Sequence, residues 1–109
     1  NGSITGTADG RQYEIPFSEI LYIESVDNRT FVYTSDMTYE VRHRIYEFEE
    51  ILRNRQFLRI SRSSILNLMK IQSVRPALNG RFSALLVNGE QIIISRKYVS
   101  ELKKTLKGE

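Results

Sequence analysis

Apolar and polar positions alternate with a period of two over most of this chain. They shift to a period near 3.6 in only two places, so the pattern predicts mostly strands with two helices. Ile20–Val26 is the clearest strand, with Leu21 and Ile23 on one face and Tyr22 and Glu24 on the other. Asp27-Asn28-Arg29 supplies a turn, and Thr30–Thr34 returns with Phe31 and Tyr33 on a common face. After Ser35-Asp36 a third strand, Met37–Arg42, points Tyr39 and Val41 inward and Thr38, Glu40 and Arg42 outward. Together these make an antiparallel meander. Ahead of it, Ile4–Thr7 and Tyr13–Ile15 flank the turn signal Asp9-Gly10 and can pair as a hairpin. Pro16 stops that pairing, and Phe17-Ser18-Glu19 fits one helical turn.

The first helix is expected over Ile45–Arg53, where Ile45, Phe48 and Leu52 share a face with Ile51 beside them. Glu49 and Arg53 lie four residues apart and can pair, and Glu47, Glu49 and Glu50 form its solvated side. Leu58–Ile60 reads as a strand entering the core, and Ile65-Leu66 as the chain returning from an exposed segment. A short link, Leu68–Lys70, leads to a strand over Ile71–Arg75 that ends at Pro76. Two Asn-Gly pairs, Asn79-Gly80 and Asn88-Gly89, then bracket Arg81–Val87 and precede Gln91–Ser95. Asn-Gly between alternating runs signals a type I′ hairpin, so a three-stranded meander is expected over Arg75–Ser95. Ser95 is placed to N-cap a C-terminal helix, Arg96–Lys107, whose core face is Val99, Leu102 and Leu106. The result is a mainly β chain with one central and one C-terminal short helix. It lacks the βαβ order of a doubly wound fold and the adjacent helices of a helix-turn-helix.

Length and composition narrow the function. At 109 residues the chain is read as one domain, residues 1–109. It contains no cysteine and a single histidine, His43, which excludes disulfides and Cys-based zinc sites. No Gly-rich phosphate cradle and no nucleophile–base spacing is present, so neither an enzyme nor a cofactor or metal site is expected. The start, Asn1-Gly2-Ser3, is not a signal peptide and reads as the cut edge of a longer chain. No apolar run approaches the ~18 residues of a membrane span. Net charge is +3 but unevenly spread: residues 1–55 hold 6 Lys+Arg against 10 Asp+Glu, residues 56–109 hold 10 against 3. That asymmetry points to an anionic partner for the second half.

Phe57–Leu68 concentrates this chemistry. Ser61-Arg62-Ser63-Ser64 holds three hydroxyls and a guanidinium, and no carboxylate lies between Gln56 and Gly89. Such a segment suits an anionic, oxygen-rich partner, and it equally suits a solvated turn with a capping serine.

The chain around it resembles the LytTR family of bacterial DNA-binding domains. The matching residues of the central signature are Phe57, Arg59, Ile60, Ser61, Arg62, Ser63, Ile65, Leu66 and Asn67. Ile20–Ser25 and Ile92–Tyr98, followed by Leu102 and Leu106, are similar to two further family blocks in the same order. The resemblance covers about residues 15–106 and leaves 1–14 as an N-terminal edge or linker. It implies a ten-stranded arrangement of small antiparallel sheets side by side, with loops inserted into successive major grooves of double-stranded DNA. It further implies a cytoplasmic transcription regulator, the output domain of a response regulator or a stand-alone protein, bound as a homodimer to two half-sites.

Residue by residue, the resemblance implies three contact segments. The turn Asn28-Arg29-Thr30 matches a loop that ends in a base-contacting residue, a position where some members carry His and this chain has Thr30, leaving Arg29 to serve instead. Arg62 occupies a second contact position, with Arg59, Ser61 and Ser63 at phosphates. Lys97, beside Arg96, occupies the third, where Arg is frequent and Lys loses the bidentate fork. Arg59 has a structural alternative as the partner of a carboxylate such as Glu24. From residues alone, two other binding roles stay open. One is a β-rich protein-interaction module using Tyr22, Tyr33 and Tyr39; the other is a single-stranded RNA reader, which would want aromatics beside the basic residues.

Overall fold

The computed structural model describes residues 2–108; Asn1, where the expected N-terminal edge begins, and Glu109 lie outside them. Among the described residues, ten strands form two antiparallel sheets. β1 (Ser3–Ala8), β2 (Arg11–Pro16), β3 (Tyr22–Val26), β4 (Arg29–Tyr33), β5 (Thr38–Val41), β6 (Phe57–Ser61) and β7 (Ser64–Asn67) make the larger sheet, in the order β2-β1-β5-β4-β3-β7-β6. β8 (Ile71–Pro76), β9 (Phe82–Leu86) and β10 (Gln91–Ile94) make the smaller one, with β9 central. Two helices, α1 (Ile45–Ile51) and α2 (Arg96–Leu106), complete the fold. The mainly β, side-by-side antiparallel arrangement expected above is the one observed.

Two cores divide the work. Ile4, Ile15, Phe17, Ile20, Ile23, Val32, Val41 and Ile65 pack with Ile45, Phe48 and Leu52 of the α1 region. Leu21, Ile60, Leu66, Leu68, Ala84, Leu86 and Ile94 pack with Val99 and Leu102 of α2. Neighbouring residues point to opposite faces of a strand. Consecutive Ile65 and Leu66 therefore enter different cores, and all four residues of β7 are buried. Asn67, also buried, donates from Nδ2 to the Ile20 carbonyl at 2.8 Å and accepts the Met69 N–H at 3.0 Å. A buried polar group left without such partners costs about 1–3 kcal/mol, so Asn67 fixes where β7 ends.

The hairpin expected from Ile4–Thr7 and Tyr13–Ile15 is present as β1 and β2, and it buries Ile4 and Ile15 in the first core. Elsewhere the structure departs from the sequence expectation, each time for a local reason. The exposed segment 61–64 closes as a tight hairpin: Ser61 stands opposite Ser64, and only Arg62 and Ser63 connect the strands. At Asn79-Gly80 both residues take positive φ (60° and 75°), as a type I′ turn requires. At the second pair only Gly89 does, at 93°. There the Gly89 N–H bonds the Leu86 carbonyl and the Leu86 N–H bonds the Glu90 carbonyl, a three-residue loop closed by one left-handed glycine. Leu106, expected in the core, is 48% exposed, because the last turn of α2 runs past the apolar cluster. Ser95 is the N-cap residue of α2 but makes no capping bond with its side chain. Glu49 does not pair with Arg53; Glu50 does, at 2.9 Å, which frees Glu49 for another arginine.

Candidate nucleic-acid interface

The three segments singled out by sequence are joined by two backbone hydrogen bonds. The Ser25 N–H donates to the Ser63 carbonyl at 2.8 Å, placing the β3–β4 turn beside the β6–β7 turn. The Ser95 N–H donates to the Ile60 carbonyl at 2.8 Å, tying the start of α2 to β6. Segments 25–30, 60–63 and 95–97 thus form one connected band, set on strands whose far sides are packed.

Within that band the residues play unequal parts. Asp27 and Asn28 take positive φ (51° and 65°), so the β3–β4 connection is a two-residue turn and Asn28 is exposed at its tip. Arg29 is exposed, but its guanidinium is held by the Glu40 carboxylate on β5 at 2.7 and 3.0 Å. Phe31 stands opposite Glu40, so Arg29 is the diagonal neighbour of Glu40, within reach of a long side chain. The hydrogen bonds from Arg29 hold the Glu40 carboxyl below the usual carboxylate range. Thr30 is 3% exposed, because it shares the inward face of β4 with Val32. A buried Thr30 cannot present its hydroxyl to a ligand without moving the strand.

Arg59 pairs with Glu49 of α1 at 2.9 Å, not with Glu24. Its Nε donates to the Ser61 carbonyl at 2.9 Å, and Nη2 donates to the Arg62 carbonyl. Two of the three contacts tie the guanidinium to carbonyls of the β6–β7 turn, beside the register shift between Arg59 and Ser61, and the third ties it to α1. The Ser61 hydroxyl accepts the Ser63 N–H at 3.1 Å, a local tie across the same turn. Ser63, half-buried, contributes its carbonyl to β3. Arg62 is the exception: it is exposed, and among the described residues its guanidinium has no hydrogen bond or ion pair. The turn therefore carries one free fork on a fastened base.

At the start of α2, Arg96 and Lys97 diverge. The Arg96 stem lies over the β8–β9 turn at Gly80, where a Cβ would meet Arg96 Cδ at 2.7 Å. Gly80 thus lets that side chain lie flat, a contact the sequence reading did not foresee. Lys97 extends over the Tyr98 ring at 5.7 Å and lines a depression with Glu49, Arg59 and Glu101. Both are exposed and neither has an ion-pair partner among the described residues.

Two cations outside the sequence-based set flank the band. Arg44 Nη1 donates to the Asn28 carbonyl at 3.4 Å, and Arg42 is exposed on the same β5–α1 link. By contrast, the tyrosines weighed as a protein-contact surface are engaged with one another. Tyr22 stacks on Tyr33 at 4.4 Å, and Tyr39 meets Tyr13 edge-on at 5.3 Å. Burial, followed by the hydrogen bond to Glu90, pushes the Tyr22 phenol well above its ordinary value, so it stays neutral. His43 lies beside the Phe48 ring and 3.8 Å from Glu47. Among the described residues, no group of three or more His, Cys, Asp or Glu is placed to hold a metal, and no helix is long and apolar enough to cross a membrane.

Comparison with known proteins shows what kind of domain this is. The family model of the LytTr DNA-binding domain matches residues 10–107. The chain belongs to the LytTr DNA-binding domain family. The same fold is found in a LytTr DNA-binding domain from Bacillus cereus, with a TM-score of 0.91, 29% identity and 97% of both chains covered. The sensory transduction protein LytT of Bacillus subtilis is 32% identical over 81% of this chain and 36% of its own length. The transcriptional regulatory protein YpdB of Escherichia coli (strain K12) is 31% identical over 97% of this chain and 44% of its own length. The present LytTr domain therefore spans less than half the length of these curated relatives. It is a DNA-binding domain of the kind that bacterial transcription regulators carry, and nothing favours the protein-interaction alternative.

Proposed function

We propose that this LytTr domain reads duplex DNA through the connected band, with Arg62 as its principal base-contacting residue. Asn28, Arg96 and Lys97 bind at the two ends of the band, and Ser61 and Ser63 hold the central turn. The observation that carries this reading is the contrast between Arg62 and its neighbours. Arg29 and Arg59 are bonded to carboxylates of the chain, whereas Arg62 stands free at the tip of a fastened hairpin between the other two segments. An arginine fork can donate twice to guanine O6 and N7, which discriminates against other bases by about 1–3 kcal/mol. Phosphate contacts carry no such information.

In the whole protein, the domain serves as the output part of a regulator. It acts inside the bacterial cell, where promoter DNA is, as a homodimer on two half-sites. The relatives named as signal-transduction and regulatory proteins support the regulatory part of that reading.

The test is competition binding with a duplex selected from a random pool and a scrambled control. Arg62→Ala should lower affinity for the selected duplex by about 5- to 150-fold. Affinity for the scrambled one should fall less, with melting temperature unchanged. An equal fall on both makes Arg62 a phosphate anchor. Failure of the unaltered domain to bind any duplex at low salt would remove the DNA reading of this surface altogether.

A further inference from the structure

The first contact segment is short of free donors. Arg29 is fastened to Glu40, Thr30 is buried, and only Asn28 is exposed and uncharged at the tip. Next to it lies a cleft bounded by β1, the ends of β4 and β5, and the link into α1. Its charged lining is Arg29, Arg42 and Arg44 against the single carboxylate Glu40, which Arg29 already occupies. His43 also lines it, but Glu47 faces that ring from α1 at 3.8 Å.

Strand parity explains the placement. Val41 points into the first core, so Arg42, one residue on, points outward, and the link then bends before α1 begins at Ile45. Glu47 accepts the Arg44 N–H at 2.7 Å and fixes that bend. Arg44 is thereby aimed back at the Asn28 carbonyl. Arg42 has no hydrogen bond or ion pair among the described residues, and Arg44 makes one long contact, to a carbonyl, that leaves most of its five donors unused.

We propose that Arg42 and Arg44 form a phosphate-binding site that seats the DNA backbone beside the β3–β4 turn. The inference rests on the DNA reading above and extends it to a pair of residues outside the three segments. The ligand is a backbone phosphodiester: two guanidinium groups lining one cleft on an exposed link can bind its oxygens but are too short of fixed geometry to read a base. By holding the strand there, the pair sets the depth at which Asn28 meets the groove.

The experiment compares the whole 109-residue chain, its Arg42→Gln/Arg44→Gln variant and Arg62→Ala on selected and scrambled duplexes across a salt series. The double variant should lose affinity on both duplexes alike, keeping the specificity ratio. Its log–log salt dependence should be shallower by about 0.9 for each phosphate contact removed. Arg42→Lys/Arg44→Lys should restore the slope, because a phosphate accepts a point charge, whereas a purely structural guanidinium would not be replaced. Arg42→Gln alone, which removes no internal bond, guards against loss of the α1 start and should give about half the change in slope. If the unaltered domain and Arg62→Ala behave as proposed while both Gln variants bind like the unaltered domain, the phosphate site is overturned and the DNA reading stands. If no form binds duplex at low salt, the reading beneath it falls first.

Discussion

Arg59 offers the sharpest separation between holding the β6–β7 turn and touching DNA. Its three donors go to the Ser61 carbonyl, the Arg62 carbonyl and Glu49, and its side chain is only 22% exposed. The Glu49 partner is 46% exposed, so that ion pair falls on the solvent-screened scale of about 0.2–1 kcal/mol. The two bonds to backbone carbonyls each contribute roughly 0.5–1.5 kcal/mol, reduced where water can take over at the surface. Arg59→Ala should therefore destabilise by about 1–3 kcal/mol, read by urea unfolding. In a domain of this size each kcal/mol corresponds to about 4–8 °C in melting temperature. The DNA consequence is distinctive. With its base loosened, Arg62 should lose base discrimination, so Arg59→Ala should approach the specificity of Arg62→Ala. The double variant should then add little beyond either single one, a coupling that a double-mutant cycle measures. Arg59→Lys should not rescue, since an ammonium cannot span two carbonyls and a carboxylate in one plane. Salt dependence should be unchanged in both. A slope shallower by about 0.9 in the Ala variant, restored by Lys, would mean that Arg59 itself neutralises a phosphate. The holding role would then be refuted.

Two further outcomes test the fold. Leu102→Ala should cost about 2–5 kcal/mol by opening a cavity in the second core, while Leu106→Ala should stay within about 0.5 kcal/mol; equal losses in urea unfolding would contradict the exposure of the last turn of α2. The Glu40 carboxyl is held below its ordinary value near 4.5 by the Arg29 hydrogen bonds. A depressed folded value means stability that is present above the unfolded value and lost as pH falls through the folded one. Melting scans from pH 6 down to 3 should show Glu40→Gln losing less stability than the unaltered domain over that interval, and identical pH profiles would show that the Arg29 pair contributes nothing.

Much of this fold was legible because it rests on parity and turn chemistry. Leu21 and Ile23 against Tyr22 and Glu24 marked β3, and Asn79-Gly80 marked a turn whose φ angles only such residues adopt readily. The same parity would have shown Thr30 to be buried, since it shares a face with Val32. Other features depend on contacts distant in sequence. β1 joins the sheet through β5, a pairing of residues 33 apart at Thr7 and Glu40, which no local pattern encodes. The partner of Arg59 was likewise a choice among carboxylates, settled by the β6 bulge and the lie of α1. Arg42 and Arg44 were passed over because the link between a strand and a helix reads as a connector. Only the return of Arg44 to the Asn28 carbonyl places it beside a contact segment.

The arrangement of the arginines follows from a conflict that any DNA-binding surface must resolve. Cations gathered on one face repel one another and, if left long and mobile, lose conformational entropy when they bind. Here the conflict is met by dividing the set. Arg29 and Arg59 are neutralised by Glu40 and Glu49, so they add little net field; Arg29 ties β4 to β5, and Arg59 ties α1 to the β6–β7 turn. Arg62, Arg96 and Lys97 keep their charge free at the surface, on a band whose central strand, β7, is buried on both faces by two separate cores. A strand clamped from both sides cannot slide or tilt without disturbing one core or the other, so Arg62, at its end, projects from a nearly fixed origin. The ordering cost of binding is then confined to the side chain. On the proposed reading, specificity would depend as much on the carboxylates that occupy Arg29 and Arg59 as on the guanidinium that is left unoccupied.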